Sequence, residues 1–333
     1  MNFESWGRFP VAEHQNVVSP STHREAARDL QLQPTPLLPR GLGRSYGDSC
    51  LNNSGTLVST AHLDKFISFN ASTGLVRCEA GVTLEDLILT FLPRGWFPPV
   101  TAGTKFVTIG GAIANDIHGK NHHRAGNFSH HVRAFELLRS DGTQLLCSRT
   151  ENSDYFRATV GGLGLTGLIL WAELQLKPVQ GPCINMESIK FKNLDEFFTL
   201  TAESNEYEYT VSWLDCLATG RRFGRGVFMR GSHSEATAKN PDKFFHTGVA
   251  WKTVPFEMPD FVLSKPSIAV FNFFYYHKQL RKHARGVQHY DTFFYPLDSV
   301  SQWNKIYGSR GFLQWQCVVP AGERGEVMKE ILA

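Results

Sequence analysis

The chain has 333 residues, of which 42% are hydrophobic, and its formal net charge at pH 7 is +3. This composition is typical of a globular protein with a buried core, and the length is sufficient for two domains. The small net charge and the scattered Lys and Arg residues argue against the basic surface that a nucleic-acid-binding protein uses.

Three features bear on the cellular compartment. The six cysteines lie far apart without a Cys-x-x-Cys pair, which is typical of a reducing compartment rather than of a disulfide scaffold. The first residues, "MNFESWGRFPVAEHQ", lack the charged and apolar stretches of a secretory signal. No apolar run reaches the roughly 18 residues of a transmembrane helix. We therefore expect a cytoplasmic protein without a membrane span.

The first 180 residues predict a mixture of strands and helices. "TPLLPRG" and "GTLVST" are short apolar runs typical of buried strands, whereas "KFISFN" and "GLVRCEAG" alternate like half-buried strands. Asp141 and Gly142 predict a tight turn between two strands in "VRAFELLRSDGTQLLCS". "LILWAELQLKP" alternates as a further strand.

Thr83 predicts the start of a helix through "TLEDLILTFLPRG", because Thr caps helices and Asp86 follows three residues later. The buried face of this helix is expected to consist of Leu84, Leu87, Ile88 and Phe91.

After Pro182 the pattern changes. "INMESIKF" and "YTVSWL" predict strands, with a helix near residues 194–204. "YDTFFYPLDSV" and "FLQWQCVVP" are interpreted as strands with a helix near residues 297–303, and the final residues as an amphipathic helix. The whole pattern predicts an α+β fold.

A dinucleotide-binding motif is present only formally. "VGGLGLTG" contains Gly162, Gly164 and Gly167 in the required spacing, but that motif follows a strand and opens a helix. Here a predicted helix in "DYFRATV" precedes the glycines and a strand follows them. The order of elements argues against a classical NAD-binding fold.

Two other glycine-rich loops are better candidates for a binding site. "PRGLGRSYGDSC" places Gly41, Gly43 and Gly47 directly after a buried strand, where backbone N–H groups can converge on an anion, and Arg40 and Arg44 add positive charge. The second loop, "GTKFVTIGGAIAND", runs into a predicted helix, and helix starts also bind anions. Together the loops predict a large, extended and negatively charged cofactor.

Four sequence blocks carry a resemblance to a known family. "RGLGRSYGD", "AGTKFVTIGGAIANDIHGKNHH", "ATVGGLGLTG" and "FFYPLDSVSQWNKIYGSRGFLQWQ" resemble the FAD-linked oxidases of the vanillyl-alcohol oxidase type over nearly the whole chain. "DIHGKNHH" combined with "GFLQWQ" resembles the branch that forms the flavoprotein half of a 2′-epimerase acting on polyprenyl-phosphoryl ribose.

The resemblance implies a PCMH-type FAD-binding domain of two α+β subdomains at residues 8–180. A substrate domain with an antiparallel sheet is expected at residues 182–333. In the family the chain returns to the flavin domain at its C-terminus and supplies a lysine near the substrate. We therefore expect this chain to be truncated at its C-terminus and to lack that lysine.

The resemblance also implies which residues contact FAD. Many relatives attach FAD covalently through a histidine just after the first Gly-x-Gly, where this chain has Arg44, so we expect non-covalent FAD. The implied cofactor-binding residues are Arg40, Gly41, Leu42, Gly43, Arg44, Ser45, Tyr46, Gly47, Asp48, Ser49, Cys50, Gly103, Thr108, Ile109, Gly110, Gly111, Asn115, Asp116, Ile117, His118 and Ile169.

Residues 116–131 contain five of the thirteen histidines. His118 and His122 have a spacing that could place two metal ligands on one helical face. Gly119 and Gly126 disfavour a long helix there, however, and no carboxylate completes a metalloprotease pattern. The resemblance instead places His118 and Lys120 beside the flavin ring, and we expect no metal. Loop or packing roles are expected for His122, His123, His130 and His131.

The implied reaction oxidises a secondary hydroxyl of a polyprenyl-phosphoryl sugar to a keto sugar, while a base takes the hydroxyl proton. Ordinary packing is the alternative role for each residue singled out here. The competing functions are an aldonolactone or sugar-alcohol oxidase that uses oxygen, and an inactive flavin-binding fragment. The expected polar wall is Tyr46, His118, Lys120, Gln314 and Gln316, and the expected aromatic walls are Trp213 and Tyr295.

The implied partners are an NADH-dependent keto-sugar reductase and a membrane that holds the polyprenyl tail. The aromatic segment "DFVLSKPSIAVFNFFYYHK" has two interpretations, a core strand or a flap that touches the bilayer. The second interpretation places the protein at the inner face of the membrane.

Overall fold

The computed structural model describes residues 3–33, 36–234, 252–320, 322 and 324–332. The chain divides into two compact units. The first unit consists of Met1–Gln180, Phe294–Ser299 and Arg310–Leu313, and the second of Gly181–Phe293, Val300–Ser309 and Gln314–Ala333. The sequence assigned residues 294–299 and 310–313 to the substrate domain, but the structure places them in the first unit.

The first unit contains a parallel sheet, an antiparallel sheet and short helices, so the predicted α+β class is confirmed. Its strands are β1 (Asn16–Val18), β2 (Leu37–Arg40), β3 (Thr56–Ser59), β4 (Phe66–Asn70), β5 (Leu75–Glu79), β6 (Trp96–Phe97), β7 (Val132–Leu138), β8 (Gln144–Ser148), β9 (Leu168–Gln175) and β10 (Lys177–Pro178). Its helices are α1 (His23–Leu32), α2 (Leu84–Phe91), α3 (Ile109–Ala114), α4 (His122–Ala125) and α5 (Ser153–Thr159), with 3-10 turns at Leu92–Arg94, Phe128–His131 and Pro296–Ser299.

Two sheets organise this unit. The smaller is parallel in the order β1-β3-β2, and the larger is antiparallel in the order β4-β5-β9-β7-β8. A third pair joins β6 to β10. Strand β2 ends at Arg40, where the first glycine-rich loop begins, so the parallel sheet fixes the start of that loop.

Helix α2 shows how the sequence sets the local structure. The Thr83 hydroxyl accepts the Asp86 N–H at 3.0 Å, and the Asp86 carboxylate accepts the Thr83 N–H at 2.9 Å. This capping box satisfies donors at the helix start that would otherwise lack partners. The predicted face is buried, and each of its large side chains contributes about 1.5–3 kcal/mol.

The core of the first unit lies on both sides of the antiparallel sheet. One cluster packs α2, α3 and α5 against β5, β7 and β9. A second cluster joins Ala26 and Leu30 of α1 to Val58 of β3 and to Leu168 and Leu170 of β9. This second cluster holds the parallel sheet against the antiparallel one.

The element order around the third glycine segment contradicts a dinucleotide-binding unit, as predicted. Helix α5 precedes the glycines, and strand β9 follows them and pairs with both β5 and β7. Gly167 has φ +147°, and a Cβ there would lie 2.6 Å from the Leu138 carbonyl oxygen. Glycine at this position therefore permits close backbone packing.

The second unit is built on an antiparallel sheet in the order β12-β13-β11-β15. A short parallel pair joins β14 to β16. Its strands are β11 (Cys183–Phe191), β12 (Tyr209–Leu214), β13 (Gly226–Ser234), β14 (Lys252–Thr253), β15 (His283–His289) and β16 (Val300–Ser301). The helices from this region onward are α6 (Leu194–Ala202), α7 (Lys265–His277), α8 (Tyr290–Phe294) and α9 (Arg324–Leu332), with 3-10 turns at Gly220–Arg222, Asp260–Leu263 and Trp303–Tyr307.

Several predictions for the later part of the chain are wrong. "YDTFFYPLDSV" forms helix α8 and a 3-10 turn rather than a strand, because consecutive aromatic residues are buried together. "FLQWQCVVP" forms neither helix nor strand in the structure. The helix predicted near residues 297–303 is broken because Gln302 has a left-handed φ of +56°. The aromatic segment that was interpreted as a core strand or flap contains helix α7.

Candidate functional site

A cavity of about 350 Å³ lies in the first unit. Its wall is formed by the end of β2 and the following glycine-rich loop, the second glycine-rich loop with helix α3, and the segment that leads into β9. The lining residues that the sequence singled out are Arg40, Gly41, Leu42, Gly43, Arg44, Ser45, Tyr46, Ser49, Cys50, Gly103, Thr108, Gly110, Gly111, Asn115, Ile117 and Ile169.

The first glycine-rich loop, residues 41–50, presents backbone donors. Within the described part of the chain, the N–H groups of residues 41–45 form no hydrogen bond with a protein acceptor. These residues line the cavity rather than pack against a sheet. Backbone N–H groups that form no hydrogen bond within the protein are available to an anionic ligand, so this loop is a candidate anion site.

Gly43 and Arg40 shape this loop together. Gly43 has φ +64°, and a Cβ there would lie 2.1 Å from the Arg40 Nη2. That Nη2 donates to the Glu4 carbonyl oxygen at 2.7 Å. Arg40 is 9% exposed and lines the cavity together with Arg44. The loop therefore combines unsatisfied amides with two positive charges, which suits a diphosphate.

The start of α3 does not offer the anion site that the sequence suggested. The N–H groups of Ile109 and Gly110 donate to the carbonyl oxygens of Val82 and Ala80, each at 2.8 Å. The Gly111 N–H donates to the Thr108 hydroxyl at 3.2 Å. Because protein acceptors already use these donors, α3 contributes wall rather than phosphate-binding amides. A Cβ on Gly110 would lie 3.0 Å from the Ala80 Cβ, so glycine there serves packing.

Some predicted cofactor residues lie outside the cavity wall. The Asp116 carboxylate accepts the Asn127 side-chain amide at 2.9 Å and the Ser129 N–H at 3.0 Å, so it orders the loop that carries the histidines. Ile109 is fully buried in the core. The predicted cofactor residues that do not line the cavity are Gly47, Asp48, Ile109, Asp116 and His118.

Sequence reasoning missed other parts of the wall. Most of these residues are apolar or small, so their residue types carry no chemical signal even where they lie within the quoted sequence blocks. Leu297 joins the wall from a part of the chain far from the glycine-rich loops. The missed lining residues are Pro39, Thr60, Ala80, Ala102, Thr104, Phe106, Val107, Ala114, Leu163, Gly164, Gly167, Leu168 and Leu297.

The histidine-rich segment forms a short turn of helix, α4, rather than a long helix. The rings of His118 and His122 are 5.9 Å apart and perpendicular. His130 accepts the Asn127 N–H at 3.2 Å, and the ring of His131 bonds the Ala125 carbonyl oxygen at 3.1 Å. Across the described residues, no group of three His, Cys, Asp or Glu side chains is arranged to hold a metal ion.

Lys120 and His118 have perturbed protonation. Burial lowers the pKa of Lys120 to about 8, because the ammonium group loses hydration. The Lys120 Nζ donates to the Phe294 carbonyl oxygen at 3.0 Å. Burial also lowers the pKa of His118, His122 lowers it further, and Asp116 acts in the opposite direction. The lowered pKa favours the neutral ring of His118, which is the form that can accept a proton.

The remaining predicted substrate residues fall into two groups. The Tyr295 ring is buried, and its hydroxyl forms a 2.5 Å hydrogen bond with the Thr101 hydroxyl, which is the packing alternative. In the second unit, the Trp213 ring lies 4.6 Å from that of Tyr275, and Gln314 and Gln316 are exposed.

Comparison with known proteins identifies the family. Residues 15–148 match the family described as FAD binding domain. The chain is 38% identical to decaprenylphosphoryl-β-D-ribose oxidase of Mycolicibacterium smegmatis over 98% of this chain and 73% of that protein. The chain belongs to the FAD-linked oxidases of the vanillyl-alcohol oxidase type.

Other relatives match about half of the chain. Human Δ(24)-sterol reductase is 26% identical over 49% of the chain and 34% of its own length. Rice cytokinin dehydrogenase 7 is 29% identical over 52% of the chain and 35% of its own length. The predicted family, the FAD cofactor and the oxidoreductase class are confirmed.

No helix in the described residues is long and apolar enough to cross a membrane.

The residues present fit FAD. The unsatisfied amides of residues 41–45 and the guanidinium groups of Arg40 and Arg44 suit its diphosphate, and apolar groups such as Leu168 and Ile169 complete the wall. Gly103 also lines the cavity, and a Cβ there would meet no protein atom within 4 Å. The wall thus has open space at Gly103.

Acid precipitation is expected to release the flavin into the supernatant. Arg44 lines the cavity at the position where covalent relatives have histidine, and a guanidinium does not form the flavin bond. The measurement is the absorbance of supernatant and pellet after denaturation. Yellow colour that stays in the pellet would contradict non-covalent binding.

Proposed function

We propose that this oxidase converts a secondary hydroxyl of a polyprenyl-phosphoryl sugar to a ketone, the oxidative half of a 2′-epimerisation. The observation that supports this proposal is the 38% identity with decaprenylphosphoryl-β-D-ribose oxidase over 98% of the chain. The match includes the second unit as well as the flavin-binding part.

The chain supplies candidate groups for handling the proton and the substrate hydroxyl. The first glycine-rich loop and the other residues of the cavity wall would hold FAD, which would supply the hydride acceptor for the carbon that is oxidised. His118, whose lowered pKa favours the neutral ring, accepts the hydroxyl proton. Lys120, held by the Phe294 carbonyl oxygen, keeps an ammonium group that orients the sugar oxygen. Tyr46 lines the cavity and adds a hydroxyl to the polar wall.

The test is an anaerobic single turnover with a short-chain polyprenyl-phosphoryl ribose. Loss of flavin absorbance and a product lighter by two hydrogen atoms support the proposal. Reduction by an aldonolactone precursor alone, followed by rapid reoxidation with oxygen, would favour an aldonolactone-type oxidase. A loaded protein that no sugar reduces would indicate an inactive flavin-binding chain.

A keto-sugar reductase is the partner that this chemistry requires. The oxidised carbon must receive hydride on the opposite face for the configuration to invert. We propose an NADH-dependent reductase for this step. Adding such a reductase and NADH to the turnover mixture should convert the ketone to the epimeric alcohol, whereas persistence of the ketone would contradict the pairing.

Helix α7 supports contact with the membrane that holds a polyprenyl substrate. Two of its polar side chains bond to the rest of the second unit: Asn272 donates to the Asp215 carboxylate at 2.7 Å, and the Tyr276 hydroxyl donates to the Phe191 carbonyl oxygen at 3.3 Å. Its aromatic residues face outward, with Phe273 51% and Phe274 66% exposed. An apolar face of this kind is typical of interfacial helices.

Replacing Phe273 and Phe274 with serine is expected to weaken binding to anionic phosphatidylglycerol vesicles severalfold. The exposed cations Lys265, Lys278 and Arg281 provide the matching charge. Co-sedimentation measures the effect, and Leu165→Ser, at a residue 79% exposed in the first unit, is the control. Equal sedimentation of both variants would contradict membrane contact through α7.

A further inference from the structure

The N-terminal residues 3–8, here named the strap, lie against the first glycine-rich loop. The Trp6 N–H donates to the Gly43 carbonyl oxygen at 2.8 Å, and the Gly7 N–H donates to the Ser45 carbonyl oxygen at 3.3 Å. Ser5 is 2% exposed. The strap precedes the region that matches the FAD-binding family, which begins at residue 15. The family match therefore assigns it no role.

The two strap hydrogen bonds fix the orientation of the loop peptides. In a trans peptide the carbonyl and the following N–H point in opposite directions. Because the Gly43 carbonyl points at the strap, the Arg44 N–H points away from it. No strap residue lines the cavity, whereas Gly43, Arg44 and Ser45 all do. The strap thus lies behind the loop and directs the Arg44 N–H away from itself.

The strap also holds the two arginines of the loop. The Arg40 guanidinium lies 5.2 Å from the Phe3 ring centroid and bonds the Glu4 carbonyl oxygen. The Arg44 guanidinium lies 4.6 Å from the Trp6 ring centroid. Such cation–π contacts stabilise a charge that burial would otherwise disfavour. They also restrict the long arginine side chains to a few conformations.

The opposite side of the strap contacts residues 310–313. The Phe312 N–H donates to the Gly7 carbonyl oxygen at 2.8 Å, and a Cβ on Gly7 would lie 2.4 Å from the Phe312 carbonyl oxygen. A Cβ on Gly311 would lie 2.3 Å from the Gly7 carbonyl oxygen. Residues 310–313 belong to the same compact unit as the strap. The strap is therefore held between them and the loop.

We propose that the strap is part of the FAD site and that Trp6 is a positioning residue that acts through Arg44. The Trp6 ring holds the Arg44 guanidinium at the cavity wall. The Trp6 N–H bonds the Gly43 carbonyl oxygen and thereby fixes the direction of the Arg44 N–H. FAD retention then depends on a segment upstream of the matched domain. The proposal rests on FAD binding alone and not on the identity of the sugar.

The experiment removes the bound flavin, titrates the apoprotein with FAD and measures the dissociation constant. The parent protein is compared with Trp6→Leu and Trp6→Phe. Leucine keeps apolar bulk but removes the aromatic face, and we expect it to raise the dissociation constant on the order of tenfold. Phenylalanine retains an aromatic face and should restore most of the affinity. Val11→Ala, at a residue 80% exposed just beyond the strap, is the control.

The same measurement in an Arg44→Ala background separates positioning from general packing. If Trp6 acts through Arg44, Trp6→Leu should change the dissociation constant by less than twofold there, so the two effects are not additive. Additive effects, or a Trp6→Leu affinity equal to that of the parent, would overturn the proposal. If Trp6→Leu does not fold, Trp6→Met takes its place, because methionine also removes the aromatic face. A Trp6→Met affinity equal to that of the parent, or an equal loss with and without Arg44, overturns the proposal, and a loss confined to the protein that keeps Arg44 supports it.

Failure of the proposed sugar oxidation would leave this test intact, because binding is measured without substrate. A parent protein that does not bind FAD would instead contradict both.

Discussion

Replacing Gly43 with valine is expected to abolish FAD loading. Gly43 has φ +64°, which costs a residue with a side chain about 1–2 kcal/mol. The new Cβ would also lie 2.1 Å from the Arg40 Nη2 and displace that guanidinium from its hydrogen bond to the Glu4 carbonyl oxygen. Losing the loop geometry and a charge together should weaken FAD binding by about a hundredfold or more. The measurement is the flavin-to-protein absorbance ratio after gel filtration.

Gly95→Val is the matched control for this prediction. Gly95 has a similar φ of +79°, and a Cβ there meets only the Val179 carbonyl oxygen at 3.5 Å. It does not line the cavity. Both variants carry the strain of a left-handed valine, but only Gly43→Val should lose FAD. Equal flavin content in the two variants would show that the loop is not the cofactor site.

Replacing His118 with alanine is expected to lower the rate of flavin reduction at least about a hundredfold, because a positioned general base typically contributes that much. FAD content should stay unchanged, since His118 does not line the cavity. Single-turnover flavin reduction and flavin content are measured in the same sample. Lost flavin with normal turnover per flavin would instead assign His118 a structural role.

The pH profile follows from the two perturbed groups. Activity should rise as pH increases through the His118 pKa, which lies below its ordinary 6.5, because the neutral ring accepts the proton. It should fall above about pH 8 as Lys120 loses its ammonium proton. The alkaline decline should disappear in Lys120→Arg, since arginine keeps its charge. A decline that persists in this variant would exclude Lys120 as its source.

The lowered pKa of Lys120 also predicts how the free energy of unfolding depends on pH. Its folded pKa of about 8 lies below the ordinary 10.5, so between these values the unfolded chain binds more protons. The free energy of unfolding should therefore rise with pH across this window. Lys120→Met should remove that contribution, and denaturant unfolding of the two proteins at pH 7.5 and pH 10 would show whether it does.

The local sequence determined much of the first unit. Thr83 and Asp86 supply both halves of a capping box, and apolar residues at helical spacing follow them, so α2 could be predicted to its buried face. Asp141 and Gly142 likewise predicted the turn between β7 and β8. Gly142 has φ +86° there, a backbone conformation that glycine adopts readily. Each of these features depends on residues within a few positions of one another.

Later elements could not be predicted in this way. Helix α8 has only five residues, of which three are aromatic, so neither the strand nor the helix period is visible. Helix α7 buries a polar residue, Asn272, and exposes Phe273 and Phe274, which reverses the pattern that sequence reasoning assumes. Asp215 accounts for this reversal, because its carboxylate accepts a hydrogen bond from the Asn272 side-chain amide. Asp215 lies far from α7 in the sequence, so the helix pattern alone does not show this contact.

The sequence by itself determined the family, the cofactor and the loop that carries the unsatisfied amides, because glycines and arginines at fixed spacing encode that local geometry. Only the tertiary structure decided which donors remain for a ligand. The amides at the start of α3 look equivalent to those of the Gly43 loop in the sequence, but the carbonyl oxygens of Ala80 and Val82 occupy them. Hydrogen-bond partners are set by which strand lies alongside, and that depends on contacts between residues far apart in the chain.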